Sequence, residues 1–531
     1  MEVFLVFVVL AIVAWAIVGR RSRNPSASDL LSRTGAVRSE PQQGPAEVPE
    51  SEIVERPAEA VAGGAQSRAL ATPESLDAPR HTTVAEEQKP ARASQLALWD
   101  TQFENSGPGD QRPLDVVMGV DFGTSCSKVM IQAGTLGRVF AVPFESLAHE
   151  TSEYLLPTIL YRDESGEASL EPTGAPVGDL KLPLMTGERD LGALARCSVY
   201  LAATIRQARS WFLRTQHRET GARNLRWAMN LGVPSAGYDD KVARANFGVV
   251  ARTAWRLSLH KGPLAFVLAE EFVDETLAAS SGSEPVELVP EVAAEVVGYA
   301  RSDTRKKGLH VMFDVGALTL DVCGFILNES AGEDQYNLLT AIVDSERGVH
   351  CLHESRLRAL DRAGIPPLTD LDFEDPLHAI PEAIEDYTET NPLPDVIREA
   401  ENDFKQKSVE CLTATLMALR RARDPNSQAF RDGLRIFLCG GGCEMNFYQS
   451  VLDRANEQFT RSTTAAKLRP VRLEVPEGLV DRGVDQATFA RLAVAYGLSF
   501  DAFDIGSIRA PKDIRDVPPL PRRREEEYLD N

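Results

Sequence analysis

Asp115-Val-Val-Met-Gly-Val-Asp-Phe-Gly-Thr-Ser-Cys-Ser-Lys-Val-Met-Ile131 places an apolar run, a short polar turn and a second apolar run in succession. Val116 to Val120 has the composition of a buried strand and Lys128 to Ile131 that of its return, so the stretch reads as a β-hairpin with a small-residue tip. Gly123 lets backbone approach a ligand there, while Thr124 and Ser125 add hydroxyls beside consecutive backbone N–H groups, which is the chemistry of a phosphate nest. Lys128 supplies a positive charge. Asp121, at the end of the first strand, is out of place against a bare phosphate but fits one accompanied by hydrated Mg²⁺. A plain surface hairpin with Asp-x-Gly turn chemistry accounts for this one stretch equally well.

A second copy changes that balance. His310-Val-Met-Phe-Asp-Val-Gly-Ala-Leu-Thr-Leu-Asp-Val-Cys-Gly-Phe-Ile-Leu327 repeats the plan of apolar strand, Asp-x-Gly, hydroxyl and apolar strand. Two such hairpins in one chain read as related halves facing each other across a nucleotide. A third element, Leu434-Arg-Ile-Phe-Leu-Cys-Gly-Gly-Gly-Cys-Glu-Met-Asn446, runs from a strand into three glycines and then a helix. In this order the three resemble the ATPase superfamily of actin, the sugar kinases and the DnaK-type heat-shock chaperones, with the chaperone branch nearest. The resemblance implies an α/β fold of two lobes, each a ribonuclease-H-like βββαβα half, binding ATP or ADP with Mg²⁺ between them. It makes Asp121-x-Gly-Thr-Ser-x-x-Lys128 the phosphate-1 loop. Asp314-x-Gly-x-x-Thr319-x-Asp321 becomes the phosphate-2 loop, with Gly316, Ala317 and Thr319 against the phosphates, and Gly440, Gly441 and Gly442 form the adenosine loop. Asp121 and Asp314 then hold the ion through water.

The resemblance continues between these landmarks. Tyr154-Leu-Leu-Pro-Thr-Ile-Leu-Tyr161 reads as strands around a proline turn and Trp227 to Tyr238 as a strand ending in a turn, both like segments of the family. Val289-Pro-Glu-Val-Ala-Ala-Glu-Val-Val-Gly-Tyr299 reads as a helix start with Pro290 in its first turn, resembling the family's connecting helix. That match joins Glu291 to Asp121 and Asp314 as catalytic residues, with Glu291 positioning or deprotonating the attacking water. A glutamate in a first helical turn is also stabilised by the helix dipole alone. Glu401, Lys405 and Ser408 match the spacing of the chaperone branch's adenosine-clasping helix, although a glutamate four residues before a lysine is equally an exposed helical pair. In the chaperone branch two further glycines follow Asp-x-Gly in the second loop. Here Ala317 and Leu318 stand there, and a leucine required to take positive φ would be strained and would crowd the terminal phosphate. Nucleotide binding with slow hydrolysis is therefore expected, because phosphoryl transfer depends on positioning.

The 531 residues exceed what one core usually holds. Residues 1–19 form an apolar run followed at once by Arg20, Arg21 and Arg23, which predicts a single transmembrane helix in the cytoplasmic membrane with the remainder facing the cytoplasm. A cleaved signal peptide would carry its basic residues before the apolar core. Residues 20–111, rich in Pro, Ala, Ser, Glu and Gln, predict a disordered linker, since such a chain buries too little apolar surface to offset its conformational entropy. The first lobe is then 112–300, the second 301–510 and a flexible tail 511–531. Helices are expected over Leu191–Leu213, Asp239–Leu259, Glu399–Arg423 and Ala487–Ser499, and 361–398 reads as an acidic insertion without defined structure.

A net charge of −21 argues against nucleic acid as a partner. Seven cysteines without framework spacing fit a reducing compartment. Cys439 with Cys443, and His350-Cys351-Leu-His353, carry too few ligands for zinc and read as packing residues. The sequence contains no P-loop, nucleophile elbow or dinucleotide fingerprint. Three functions stay open, since fold does not fix function: a membrane-tethered ATPase switch acting on an unidentified protein partner, an actin-like filament former that self-associates at the membrane, or a small-molecule kinase of the sugar type. The short stretch after the last expected helix leaves no peptide-binding domain of the chaperone kind.

Overall fold

A computed structural model describes residues 113–518 apart from 135–136, 145–152, 186–187, 217–219, 221–222, 280–281, 331, 369–379, 464–466 and 481–482. All of these lie in the compact unit Glu87–Asn531. The expected anchor and linker lie outside the described residues. Among the described residues no helix is long and apolar enough to cross a membrane.

The chain is mixed α/β. The first hairpin forms as the apolar runs require: β1 (Leu114–Phe122) is buried at every position but Asp115 and pairs antiparallel with β2 (Cys126–Ala133). With β3 (Arg138–Ala141), β4 (Leu225–Val233) and β5 (Val286–Pro290) they make a sheet of order 3-2-1-4-5, to which Leu156–Pro157 adds a short pairing with β2. The pairs β1–β4 and β4–β5 are parallel. The second hairpin, β6 (Gly308–Val315) with β7 (Leu320–Ser330), enters a sheet with β8 (Glu333–Asp344), β9 (Arg435–Cys439) and β10 (Arg469–Arg472). Its order is 8-7-6-9-10 with the same sequence of antiparallel and parallel pairings, and a further strand, β11 (Ser507–Arg509), lies beyond β8. One strand plan thus occurs twice. A small third sheet joins Leu160–Arg162 to Ala168–Ser169 and Ala175–Val177.

Parallel neighbours need crossovers, and the helices supply them. In the first half these are α1 (Leu191–Thr215), α2 (Lys241–Leu259) and α3 (Phe266–Ala278), followed after β5 by the single turn α4 (Glu291–Glu295). In the second they are α5 (Val349–Ala363), α6 (Asp395–Ala418) and α7 (Asn446–Thr463), and α8 (Gln486–Leu498) follows β10. Asp190 and Asp240 cap α1 and α2 by accepting from backbone N–H groups in their first turns. The C-terminus of α2 is closed by the buried Arg206, which donates to the carbonyls of Leu257, Ser258, His260 and Gly262.

Among the described residues the three largest apolar cores follow from this layering. One lies between the first sheet and α1–α3, and another between the second sheet and α6 with α7. The middle core contains residues of both sheets, including Met130, Val139, Met312 and Phe325, together with Phe489, Leu492 and Tyr496 of α8. Contact there is backbone to backbone. A Cβ at Gly119 of β1 would stand 2.4 Å from the Ala495 carbonyl oxygen, and one at Gly497 only 1.8 Å from that of Ala294 in α4. The Asn230 amide, from β4, donates to the Leu498 and Phe500 carbonyls at 2.8 and 2.6 Å and pins the end of α8.

Several expectations shift. Pro290 ends β5 instead of entering a helix, and the helix that starts at Glu291 breaks at Val296 before resuming over Val297–Ala300. The stretch 361–398, read as without defined structure, carries elements in its described residues: α5 runs to Ala363, a 3-10 turn covers Ile384–Tyr387 and α6 begins at Asp395. The expected helix over Glu399–Arg423 is α6 only as far as Ala418, after which Leu419–Arg423 widens into a π-turn. Residues 511–518 of the expected tail are tied down, with Val517 N–H donating to Ala422 at 2.7 Å. Arg423 there binds Asp516 and the carbonyls of Leu339, Pro511 and Ile514.

Because backbone atoms cannot yield as a side-chain tip does, Gly497→Ala should cost at least about 2 kcal/mol in urea unfolding. Gly178→Ala, with open space around it, should change stability by less than about 0.5 kcal/mol. Equal effects of the two would refute tight packing of α8 against α4.

Candidate functional site

The turns of the two hairpins and the glycine loop after β9 converge on one cavity of about 390 Å³. Its walls include Asp121, Gly123, Thr124, Ser125 and Lys128 from the first hairpin and Asp314, Gly316, Ala317 and Thr319 from the second. Gly440, Gly441, Gly442 and Glu291 complete the set that the sequence brings forward. Glu401 and Lys405 are not among the lining residues. The Glu401 carboxylate is paired with Arg356 at 2.5 Å, and the Lys405 ammonium sits 5.4 Å from the centre of the Phe447 ring.

Each loop is held by its own framework, leaving donors over. In the first, Thr158 clamps the turn: its N–H donates to the Ser125 carbonyl at 2.8 Å and its hydroxyl to the Gly123 carbonyl at 2.9 Å. A side chain at Gly123 would strike the Cys126 carbonyl at 2.2 Å. In the second, the first N–H groups of α5 take the loop's carbonyls, Gly348 donating to Leu318, Val349 to Gly316 and His350 to Ala317. Among the described residues the N–H groups of Ala317 and Leu318 find no protein acceptor. This corrects the expected strain at Leu318. The only described non-glycine residue at positive φ is Asp179, so neither Ala317 nor Leu318 needs a glycine conformation, and Leu318 does not line the cavity. Gly440 does need one: it sits at φ +73°, where a Cβ would fall 2.3 Å from an Asp314 carboxylate oxygen.

Charge in the cavity is unbalanced. Asp121, Glu291, Glu295, Asp314 and Asp321 line it against Lys128, Lys181 and Arg491. Two close ion pairs use up both lysines, Lys128 with Asp121 at 2.9 Å and Lys181 with Glu291 at 2.8 Å. Burial pushes the Asp314 carboxyl up to about 7, helped by the neighbouring Glu291 and Asp121 and opposed by Lys128 and Lys181. Burial likewise raises Asp321 to about 8, with Asp314 and Glu291 adding to the effect. Glu295 is held well above the carboxylate range by burial and then by Asp314, and Glu291 is raised by burial against the pull of Lys181. Such a site favours either protons or a cation. Among the described residues no three His, Cys, Asp or Glu side chains converge as a direct metal cage. A divalent ion here fits the hydrated kind that shares its ligands with phosphate oxygens, as Mg²⁺ does.

Four residues of the site go unnoticed in the sequence. Lys181 lies in an irregular segment with no pattern around it, Thr158 falls in the proline turn read over Tyr154–Tyr161 without being singled out, and Glu295 reads as one more polar residue of a helix. Arg491, on α8, reads as an exposed helical residue, yet its guanidinium lies where a Cβ on Gly441 would come within 2.8 Å of Nε. Cys439 and Cys443 are buried and unpaired, as packing residues should be.

The raised carboxyls carry a stability consequence. In the unfolded chain these acids ionise near pH 4, so between about pH 4 and 8 the unfolded chain releases protons that the folded one retains. These groups therefore make the unliganded fold lose stability as pH rises through that window, by on the order of a few kcal/mol. The urea midpoint should fall from about pH 5 to 8, and Asp321→Asn, neutral at every pH, should reduce the slope. An unchanged slope in that variant would show that Asp321 ionises normally. Neither a protein-family model nor a curated protein sequence matches the chain.

Proposed function

We propose that the chain is a nucleotide-binding protein of the actin, sugar-kinase and DnaK-type superfamily. In this reading it binds ATP with Mg²⁺ between two related α/β lobes, each like ribonuclease H, and works as a slow ATPase switch on a protein partner. Residues 1–19 would tether it to the cytoplasmic membrane, with the ATPase part facing the cytoplasm. The observation that carries the reading is the duplicated strand plan, in which the first hairpin of each copy delivers its turn to the same cavity.

The site's chemistry supports phosphate as the ligand. Ala317, whose backbone N–H finds no acceptor among the described residues, lines the cavity with the hydroxyl residues Thr124, Ser125 and Thr319 and two lysines, while the excess of carboxylates asks for a cation that phosphates would bring with them. Mg²⁺ when bound would neutralise developing charge on the phosphates. Asp121 and Asp314 would orient its water shell, and Lys128 would exchange Asp121 for a phosphate oxygen. Slow turnover follows from the pairing of Glu291. Oε1 of Glu291 is engaged by the Lys181 ammonium at 2.8 Å, so the carboxylate is aimed at the lysine and must be re-aimed before it can take a proton from an attacking water.

Titration calorimetry with Mg·ATP tests the binding. Asp121→Ala should abolish it by removing the ion's outer-shell carboxylate. Gly441→Val should do the same by filling the nucleoside end, and of the three glycines this one is the best probe. An added Cβ at Gly441 meets the flexible Arg491 side chain, whereas at Gly440 it meets β6 backbone and at Gly442 the buried Val315 side chain. Unchanged affinity in both variants would overturn the reading. Hydrolysis should run far below the roughly 1–100 s⁻¹ of kinases, and Glu291→Gln should lower it further with affinity retained.

A further inference from the structure

The nucleoside end of the cavity is built differently from the phosphate end. Ile380 and Met445 line it beside the three glycines. They belong to stretches far apart in sequence that are joined where the Glu382 carboxylate accepts from the Asn446 N–H at the start of α7. The short strap Ile380-Pro381-Glu382 is fixed from behind by Arg356 of α5, which is only 2 % exposed. Its guanidinium donates to the Pro381 carbonyl at 3.0 Å and the Glu382 carbonyl at 3.2 Å. The same guanidinium holds Glu401 through Nε at 3.1 Å and Nη2 at 2.5 Å. One buried cation therefore holds the apolar wall in place and keeps the Glu401 carboxylate engaged. Lys405 is turned to the Phe447 ring. At this end of the cavity Arg491 is the charged side chain among the described lining residues.

Selectivity among rings of similar shape comes from polar groups that would be left unpaired by the wrong one, while an apolar wall discriminates weakly. Resting on the nucleotide reading above, we propose that Ile380 and Met445 form an apolar slot for the base, positioned by Arg356, and that the protein accepts adenine and guanine nucleotides alike. Ile380 and Met445 supply affinity through ring contact, and the backbone of Gly440–Gly442 supplies shape. The phosphates and the ion supply the remainder, independent of the base.

The test is titration of the full chain with Mg·ATP, Mg·GTP and Mg·tripolyphosphate. ATP and GTP should bind within about threefold of each other, and tripolyphosphate more weakly because it lacks the ring. Ile380→Asp should weaken ATP and GTP together by roughly tenfold, about 1.4 kcal/mol, and leave tripolyphosphate unchanged. Arg356→Gln should move both nucleotides in the same direction by freeing the strap. A preference for ATP over GTP of about a hundredfold would overturn the apolar slot while leaving nucleotide binding intact. So would loss of tripolyphosphate binding in Ile380→Asp, or nucleotide affinities untouched by it. Failure of all three ligands to bind the unaltered chain would overturn the nucleotide reading itself and the slot with it.

Discussion

The backbone of α8 lies so close to β1 on one side and α4 on the other that neither Gly119 nor Gly497 has room for a side chain. That contact fixes how the two copies of the strand plan meet, since α8 contributes to the core that contains residues of both sheets. The cavity inherits its shape from this geometry. The hairpin turns stand at the ends of β1 and β6, strands buried on both faces and therefore unable to shift register without exposing apolar surface. Loops attached to such strands are positioned by the cores beneath them. The two clamps on the loops, Thr158 on the first and the start of α5 on the second, do the remaining orientation.

Electrostatics works against this geometry. Five carboxylates face two lysines that are already paired and one arginine, and burial holds Asp314 and Asp321 well above the usual range. A fold that gathers like charges carries a destabilising term, and ligands that neutralise the site repay it by mass action. The site gathers like charges even though its backbone is relaxed, because the loop expected to be strained at Leu318 is accommodated by turning its carbonyls to α5.

The two hairpins and the glycine loop were legible because their chemistry is local. An apolar run ending in Asp-x-Gly and a hydroxyl reads the same way at Asp121 and at Asp314, and the strands formed at both places. Glu401 and Lys405 show the limit of spacing. Four residues apart on a helix puts two side chains on one face, but what that face meets is set by partners distant in sequence, and Arg356 draws Glu401 to itself while Lys405 lies by the Phe447 ring. Lys181 was invisible for the same reason, being placed by tertiary packing with no period or turn signal of its own, and the proline turn that holds Thr158 gave no sign that its hydroxyl would reach the Gly123 carbonyl. Leu318 was misjudged because the sequence offered no view of α5, whose first N–H groups give the loop another way to satisfy its carbonyls. Pro290 marked a boundary correctly and its side wrongly, since proline serves a strand end as well as a helix start.

The fastening at Arg423 has a mechanical meaning. Twenty-four residues of α6 make a rod of about 36 Å. At its far end the π-turn is clamped to residues 511–517, and near its beginning Glu401 is gripped by the guanidinium that also holds the strap beside the glycine loop. Residues 511–517 and the strap are thereby fastened to one rod, the first through Arg423 and Ala422 just past its end, the second through Arg356 and Glu401 about two turns after its start.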